Sequence, residues 1–271
     1  MNSIYEVQAV ILAVHGIYQS CRSFDFQADL AMTRTIVIAL DLPLHGETVT
    51  PDGLELSAGL MADSIHSVIE YLSLKEVNLF LMEWSFGGWV LGTYLQQYGL
   101  EGIQGLILIS SLFGDMAKSF AHVKDYKSIE TISTLSDPDA SLLSVLNATQ
   151  QFVGMLRYQN TEDVASEDVS LCLGYNIRSV MRLRGLSAPM VVVAQTPVNG
   201  VYKPLNEPGI TVLMMTGKQD MLLPLGWFRE MASELSHVEI HEIDNCGHSV
   251  FAEYPEMFNS LLSTFVHKHL G

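Results

Sequence analysis

Residues that could carry out nucleophilic chemistry occur at three separate places in the sequence. Ser85 lies in the run Glu83–Gly88, between a predicted strand and a predicted helix, whereas Asp220 and His248 each follow a short apolar run near the C-terminus. A serine hydroxyl becomes an effective nucleophile when an imidazole takes its proton and a carboxylate orients that imidazole. The order Ser, Asp, His is that of a triad built on a nucleophile elbow. We therefore predict that these three side chains meet.

Two backbone amides are candidates for binding an oxyanion beside this serine. The N–H of Phe86 lies at the start of a predicted helix. N–H groups at a helix start lack intrahelical acceptors, and the helix dipole favours negative charge there. The N–H of Ile17 follows the His15-Gly16 pair at the end of the first predicted strand. We predict that both amides donate to a developing oxyanion, and that His15 supports this loop.

The elements that must position these residues are short apolar strands alternating with helices. Strands that are apolar on both faces are typical of a parallel sheet covered on both sides. The pattern predicts a doubly wound α/β fold. The predicted strands are Val7–Val14, Thr35–Leu40, Val77–Met82, Ile103–Ile109, Ile210–Thr216 and Val238–Ile243. The predicted helices of this part are Ser23–Ala31, Ser57–Leu72, Gly87–Tyr98, Pro224–Leu235 and Pro255–His269.

A long stretch between the fourth strand and the last two breaks this alternation. Its residue pattern predicts mostly helix, including helices over Ser141–Leu156 and Glu167–Arg184. Met190–Ala194 is a possible strand within this stretch. The sequence therefore predicts a core of residues 1–111 and 207–271 with a helical cap insertion of residues 112–206. An insertion at the carboxyl edge of such a sheet would lie over the site.

Composition excludes several classes of function. Thirty acidic residues against 14 Lys and Arg give a net charge of −16, which disfavours binding to nucleic acid and to anionic membranes. The three widely spaced cysteines predict free thiols, and no basic segment precedes Val7–Val14, so we expect a cytoplasmic protein. His237 and His241 lie on a predicted strand with no third ligand, and no phosphate-binding glycine motif follows the first strand. We predict no metal and no cofactor.

Together these motifs resemble the α/β-hydrolase superfamily over nearly the whole chain. The resemblance implies a Ser85–His248–Asp220 triad, oxyanion donors at Ile17 and Phe86, and a variable cap that corresponds to the insertion. It also implies that His45 holds a structural turn. The matching segments are His15-Gly16, Asp41–Gly46, the elbow at Ser85, Gly217–Asp220 and Gly247-His248.

Glu83 departs from the family pattern, which has a small residue two positions before the nucleophile. One interpretation is that its side chain only packs in a polar gap. The other is that an ionised Glu83 carboxylate lies near the site, favours the imidazolium form of His248 and raises its pKa. We carry both interpretations forward.

The residues favour a serine hydrolase that cleaves a small-molecule carboxylic ester or lactone, with acyl-homoserine lactones as one specific possibility. A carbon–carbon bond hydrolase would use the same triad. A cofactor-free dioxygenase is a further alternative, because Ser85–Val90 resembles a stretch of the quinolone dioxygenases, although Ile109–Ser111 lacks the carboxylate those enzymes carry there. From another class, the same fold could serve as a non-catalytic receptor for a small ligand.

Overall fold

The protein is described from a computed structural model. The structure describes residues 7–28, 34–48, 50–51, 54, 56–123, 125–158, 166–183 and 196–270.

Six parallel strands form one sheet in the order β2-β1-β3-β4-β5-β6. The strands are β1 (Ala9–Val14), β2 (Thr35–Leu40), β3 (Asn78–Trp84), β4 (Ile103–Ile109), β5 (Thr211–Gly217) and β6 (Val238–Ile243). The four inner strands are almost wholly buried, as expected of a sheet covered on both faces. The doubly wound parallel sheet predicted from the sequence is confirmed.

Helices flank this sheet and fill the connections between its strands. The helices are α1 (Asp25–Ala28), α2 (Ala58–Tyr71), α3 (Phe86–Tyr98), α4 (Met116–His122), α5 (Tyr126–Ser136), α6 (Leu142–Met155), α7 (Ser166–Leu183), α8 (Tyr202–Leu205), α9 (Leu225–Ser233), α10 (Val250–Glu253) and α11 (Pro255–Lys268). Among the described residues, no helix combines the length and apolar character needed to cross a membrane.

Most predicted bounds agree with the structure to within two residues, and the exceptions have local causes. Within the helix predicted over Ser23–Ala31, the described residues form a 3-10 turn at Cys21–Phe24 followed by α1, and residues 29–31 lie outside the described part of the chain. Pro224 caps α9 instead of opening its first turn, whereas Pro255 does occupy the first turn of α11. Proline tolerates both positions because its missing N–H has no acceptor at a helix start.

Between β4 and β5 the described residues form the helices α4 to α8 and no strand. We call the segment of residues 112–206 the helical insertion. Its possible strand Met190–Ala194 lies outside the described residues, and the division of the chain into core and cap stays a prediction. The insertion contacts the loops at the carboxyl ends of the strands, because Leu156 at the end of α6 accepts a backbone hydrogen bond from Ser249.

Candidate active site

Ser85 stands on a strained turn between β3 and α3. Its backbone has φ 57° and ψ −117°, a conformation that a residue with a side chain adopts at some cost in free energy. The surrounding backbone holds it there: the Ser85 N–H donates to Ile109, and the Ser85 carbonyl accepts from Gly88 and from Leu112. This is the geometry of a nucleophile elbow, which presents a serine above the sheet.

Two glycines after Ser85 let α3 approach its neighbours closely. A Cβ at Gly87 would lie 2.6 Å from the carbonyl oxygen of Val14, and a Cβ at Gly88 would lie 2.3 Å from the hydroxyl of Ser111. Any larger residue would push the helix away from the loops that follow β1 and β4. The Gly-Gly pair is therefore required by packing at the elbow.

Asp220 and His248 meet, as the sequence predicts. The Nδ1 atom of His248 lies 2.7 Å from Oδ2 of Asp220, and both side chains are buried. The other carboxylate oxygen of Asp220 accepts hydrogen bonds from the backbone N–H groups of Leu222 and Leu223. Because the carboxylate is surrounded by donors, Nδ1 carries a proton and Nε2 of His248 is left as an acceptor.

The loops after β5 and β6 are joined so that these two side chains are brought together. Gln219 donates from its backbone to the carbonyl of Cys246, and its side-chain oxygen accepts from the Cys246 N–H. A Cβ at Gly217 would lie 2.1 Å from the carbonyl oxygen of Gly247, so the loops touch at a point where no side chain fits. This close approach accounts for Gly217, whereas a Cβ at Gly247 would lie 2.7 Å from the backbone nitrogen of Tyr158.

Glu253 braces the loop that carries His248, and the sequence analysis missed it. Its carboxylate accepts from the Gly247 N–H at 2.7 Å and from the N–H of Tyr158, just beyond α6, at 3.0 Å. One carboxylate thus connects the histidine loop to the helical insertion. In the sequence, Glu253 lies five residues after His248 and shortly before the proline that opens α11. This position alone does not predict the contact.

His248 is also held by the residue that precedes Ser85. The indole N–H of Trp84 donates to the His248 carbonyl at 3.0 Å, and the two rings lie 5.5 Å apart. Nε2 of His248 is buried and has no hydrogen-bond partner within the described part of the chain, so it is not bonded to the Ser85 hydroxyl. Catalytic hydrogen bonds are often long before substrate binds and shorten in the complex.

The candidate oxyanion amides both lie beside the elbow. Phe86 is the first residue of α3, and Ile17 follows Gly16, where a Cβ would be 3.3 Å from the Cβ of Ser85. His15 fixes the intervening peptide: its Nδ1 lies 2.7 Å from the Gly16 carbonyl oxygen, while its Nε2 accepts from the N–H of Leu42. Because the peptide is planar, holding its carbonyl also sets the direction of the Ile17 N–H.

His15 and His45 form a buried pair, with ring centroids 5.0 Å apart, that supports these loops and takes no proton at neutral pH. Burial lowers the pKa of His15 to about 4, although its hydrogen bond to Gly16 opposes the shift. Burial and the neighbouring His15 lower the pKa of His45 to about 3. Nδ1 of His45 lies 2.9 Å from the Pro43 carbonyl oxygen, which agrees with the turn-holding role predicted for it.

Glu83 is buried beneath the elbow. Neither oxygen of its carboxyl group has a hydrogen-bond partner among the described residues, and a Cβ at Gly88 would lie 2.9 Å from one of them. Burial raises the pKa of Glu83 well above its ordinary value, and the nearby Ser111 hydroxyl and Ile109 backbone oppose this only in part. Burial thus favours the neutral form of the Glu83 carboxyl group.

The electrostatic role predicted for Glu83 required an ionised carboxylate, and burial disfavours that form. Side chains on a strand alternate between the faces of the sheet, and it is the neighbouring Trp84 that contacts His248. The structure therefore favours the first interpretation, in which Glu83 packs.

In the described part of the chain, no three His, Cys, Asp or Glu side chains converge as metal ligands would. The arrangement that remains is a serine, a buried imidazole oriented by a carboxylate, and two backbone amides. These groups can activate a hydroxyl and bind an oxyanion.

Comparison with known proteins identifies the family of this chain. The model of the alpha/beta hydrolase family matches residues 11–261, and the chain belongs to that family. Human monoacylglycerol lipase ABHD6 is 20% identical over 236 residues, which cover 85% of this chain and 67% of that protein. The pimeloyl-[acyl-carrier protein] methyl ester esterase of Nitrosomonas europaea is 23% identical over 257 residues, which cover 92% of each chain.

A solved structure gives the same result for the fold. The crystal structure of the esterase RhEst1 from Rhodococcus sp. ECU1013 superposes with a TM-score of 0.81 and 21% identity, covering 97% of this chain and 91% of that one.

Proposed function

We propose that this chain is a serine hydrolase that cleaves carboxylic esters, with Ser85 as nucleophile, His248 as general base and Asp220 as the orienting acid. The observation that supports this most is the buried hydrogen bond between His248 and Asp220, which leaves the Nε2 atom of His248 as an acceptor. The three similar proteins described above are named for ester hydrolysis, which favours this chemistry.

In the first half of the reaction, the Ser85 oxygen bonds to the carbonyl carbon of the ester as Nε2 of His248 takes the hydroxyl proton. The carbonyl oxygen becomes an oxyanion, which accepts hydrogen bonds from the Ile17 and Phe86 amides. Asp220 stabilises the imidazolium. The carbon–oxygen bond to the alcohol then breaks, and His248 returns the proton to the leaving alcohol.

In the second half, water replaces the alcohol and attacks the acyl group on Ser85. His248 takes the proton of this water, the same two amides bind the second oxyanion, and the carboxylic acid leaves as the proton returns to Ser85. A lactone would follow the same course, with its alcohol retained in the product. Lactones, including acyl-homoserine lactones, are thus the narrower substrate class that we propose to test.

The test is hydrolysis of p-nitrophenyl esters of increasing chain length, together with a lactone panel, by the wild type and Ser85→Ala. We expect turnover of at least one ester by the wild type and a loss of roughly five orders of magnitude or more in kcat for the variant. Ser67→Ala, an exposed serine on α2, is the control and should retain full activity.

Wild-type rates in Ser85→Ala would contradict the proposal. So would tight binding of an ester or lactone by the wild type with no turnover, which is the behaviour of a receptor on this fold. If the wild type hydrolysed lactones but no open-chain ester, the triad assignment would stand and the substrate class would be limited to lactones.

A further inference from the structure

The turn that carries the Ile17 amide has an unusual residue at its third position. Residues 16–19 form a tight turn in which the Gln19 N–H donates to the Gly16 carbonyl at 3.2 Å. Tyr18 has φ 61°, and Ile17 does not have a positive φ. This is the pattern of a type II turn, whose third position is normally glycine because only glycine adopts a positive φ without strain. Something outside the turn must therefore hold Tyr18.

The helical insertion supplies that support for the Tyr18 side chain. Tyr18 is fully buried, and its hydroxyl lies 3.2 Å from the hydroxyl of Ser136, the last residue of α5. The edge of its ring packs on Phe152 of α6 at a centroid distance of 5.8 Å. Two helices of the insertion thus fix the side chain of the strained residue.

A buried pair of amides connects the next residue to a third helix. Nε2 of Gln19 donates to Oδ1 of Asn176 on α7 at 3.2 Å, and both side chains are buried. The thiol of Cys172 donates to the oxygen of Gln19, and the Asn176 amide donates to the Cys172 carbonyl. Because buried amides without partners are costly, these contacts specify one position for Gln19.

The position of this turn determines where the Ile17 N–H points. The Gly16 carbonyl and the Ile17 N–H belong to one planar peptide and point in opposite directions. That carbonyl is held by Nδ1 of His15 on one side and by the Gln19 N–H on the other. A change in the position of Gln19 would therefore rotate the N–H that faces the oxyanion.

We propose that Tyr18 and Gln19 are positioning residues for the Ile17 amide, and that the helical insertion holds both of them through Ser136, Phe152 and Asn176. The insertion then sets the rate of the chemical step as well as enclosing the substrate. This inference rests on the proposed function, since it assigns a task to groups around the same oxyanion.

Asn176→Ala tests the proposal from the side of the insertion, without touching the turn itself. The measurements are kcat and KM for the best p-nitrophenyl ester, and inhibition by an alkyl boronic acid, which forms a tetrahedral anion on the nucleophilic serine. We expect kcat to fall roughly ten- to a hundred-fold with KM changed less than about two-fold. The inhibition constant of the boronic acid should rise by about the same factor as kcat falls.

The matched control is Asn147→Ala, which removes an exposed amide from α6 and should leave all three values unchanged. If Asn176→Ala alters only KM, or leaves kcat and boronic acid inhibition at wild-type values, the proposal is wrong. If the wild type hydrolyses no ester, or Ser85→Ala retains its activity, it is the proposed function that has failed.

A second pair of variants covers the case in which Asn176→Ala does not fold. Tyr18→Phe and Ser136→Ala remove the same hydrogen bond from opposite ends. Each should lower kcat and weaken boronic acid inhibition by a similar factor, and the double variant should be no worse than either single one. Additive losses, or no loss in either variant, would show that the contact has no part in positioning the amide.

Discussion

Two buried carboxyl groups at the same edge of the sheet differ completely in their surroundings. Asp220, in the loop after β5, accepts hydrogen bonds from His248 and from the backbone N–H groups of Leu222 and Leu223. Glu83, near the end of β3, has no hydrogen-bond partner for either oxygen among the described residues. Both side chains are inaccessible to solvent.

The difference shows that hydrogen-bond donors, and not burial alone, decide what a carboxyl group can do at this site. Backbone N–H groups in a loop after a strand are free to donate to a carboxylate, and Asp220 accepts from two such groups. Glu83 lies in an inner strand that pairs with β1 and β4, so the neighbouring amides are engaged in the sheet. One carboxyl group can orient an imidazolium, whereas burial favours the neutral form of the other, which packs beneath the elbow.

Asp220→Asn should have the largest effect. Its oxygen would keep the amides of Leu222 and Leu223, but its NH₂ group would face Nδ1 of His248 and favour the tautomer that carries a proton on Nε2. Such an imidazole cannot accept the serine proton, so we expect kcat/KM for an ester to fall by about four orders of magnitude at neutral pH.

The control for that experiment is Asp244→Asn, an exposed acid beyond β6 that pairs with Lys218. It makes the same chemical change at a position with no contact to His248, and activity should be unaffected. If Asp220→Asn kept most of the activity, Asp220 would not be needed to orient His248, and the contrast with Glu83 would fail.

Glu83→Gln should affect stability, in a direction set by pH. The unfolded chain loses this proton above the ordinary pKa of about 4.5, whereas the raised pKa of Glu83 lets the folded chain keep it to a higher pH. Between these two pKa values the wild type loses up to about 1.4 kcal/mol of stability from this group for each unit of rising pH, whereas Glu83→Gln does not. The stability of the variant relative to the wild type, from urea denaturation, should therefore rise with pH above about pH 5.

A constant difference across that range would mean that Glu83 has the same pKa in the folded and unfolded chains. A difference that falls with pH would mean that the folded protein stabilises the ionised form. Either result would remove the contrast with Asp220.

The smallest effect is expected in the kinetics of the same variant. Because burial favours the neutral form of Glu83, which exerts no charge on His248, Glu83→Gln should leave the acid limb of kcat/KM against pH where it is in the wild type. A shift of that limb to lower pH would restore the electrostatic role that the sequence suggested for an ionised carboxylate.

The sheet and the meeting of Asp220 with His248 were predictable because each depends on local signals. Apolar runs gave strands such as Thr35–Leu40 and Ile103–Ile109 with their bounds. The carboxyl ends of neighbouring parallel strands lie at one edge of a sheet, so residues after β5 and β6 must be close together.

The surroundings of Glu83 and Tyr18 were not predictable, because they depend on contacts between distant segments. The raised pKa of Glu83 follows from its burial, which only the folded sheet defines. From the turn alone, glycine would be expected at position 18, because the backbone there has a positive φ. The side chains that hold Tyr18 and its neighbour Gln19 come from helices more than 100 residues away in the sequence.

The most direct test of the central claim, that Ser85 is activated by His248 and Asp220, is labelling with a fluorophosphonate probe, which reacts with activated serines. Mass spectrometry of the digested native protein should find one label per chain, on the peptide that contains Ser85. The rate of labelling should fall by orders of magnitude in His248→Ala and in chain unfolded before the probe is added. A native chain that remains unlabelled, or that is labelled on another serine, would contradict the account.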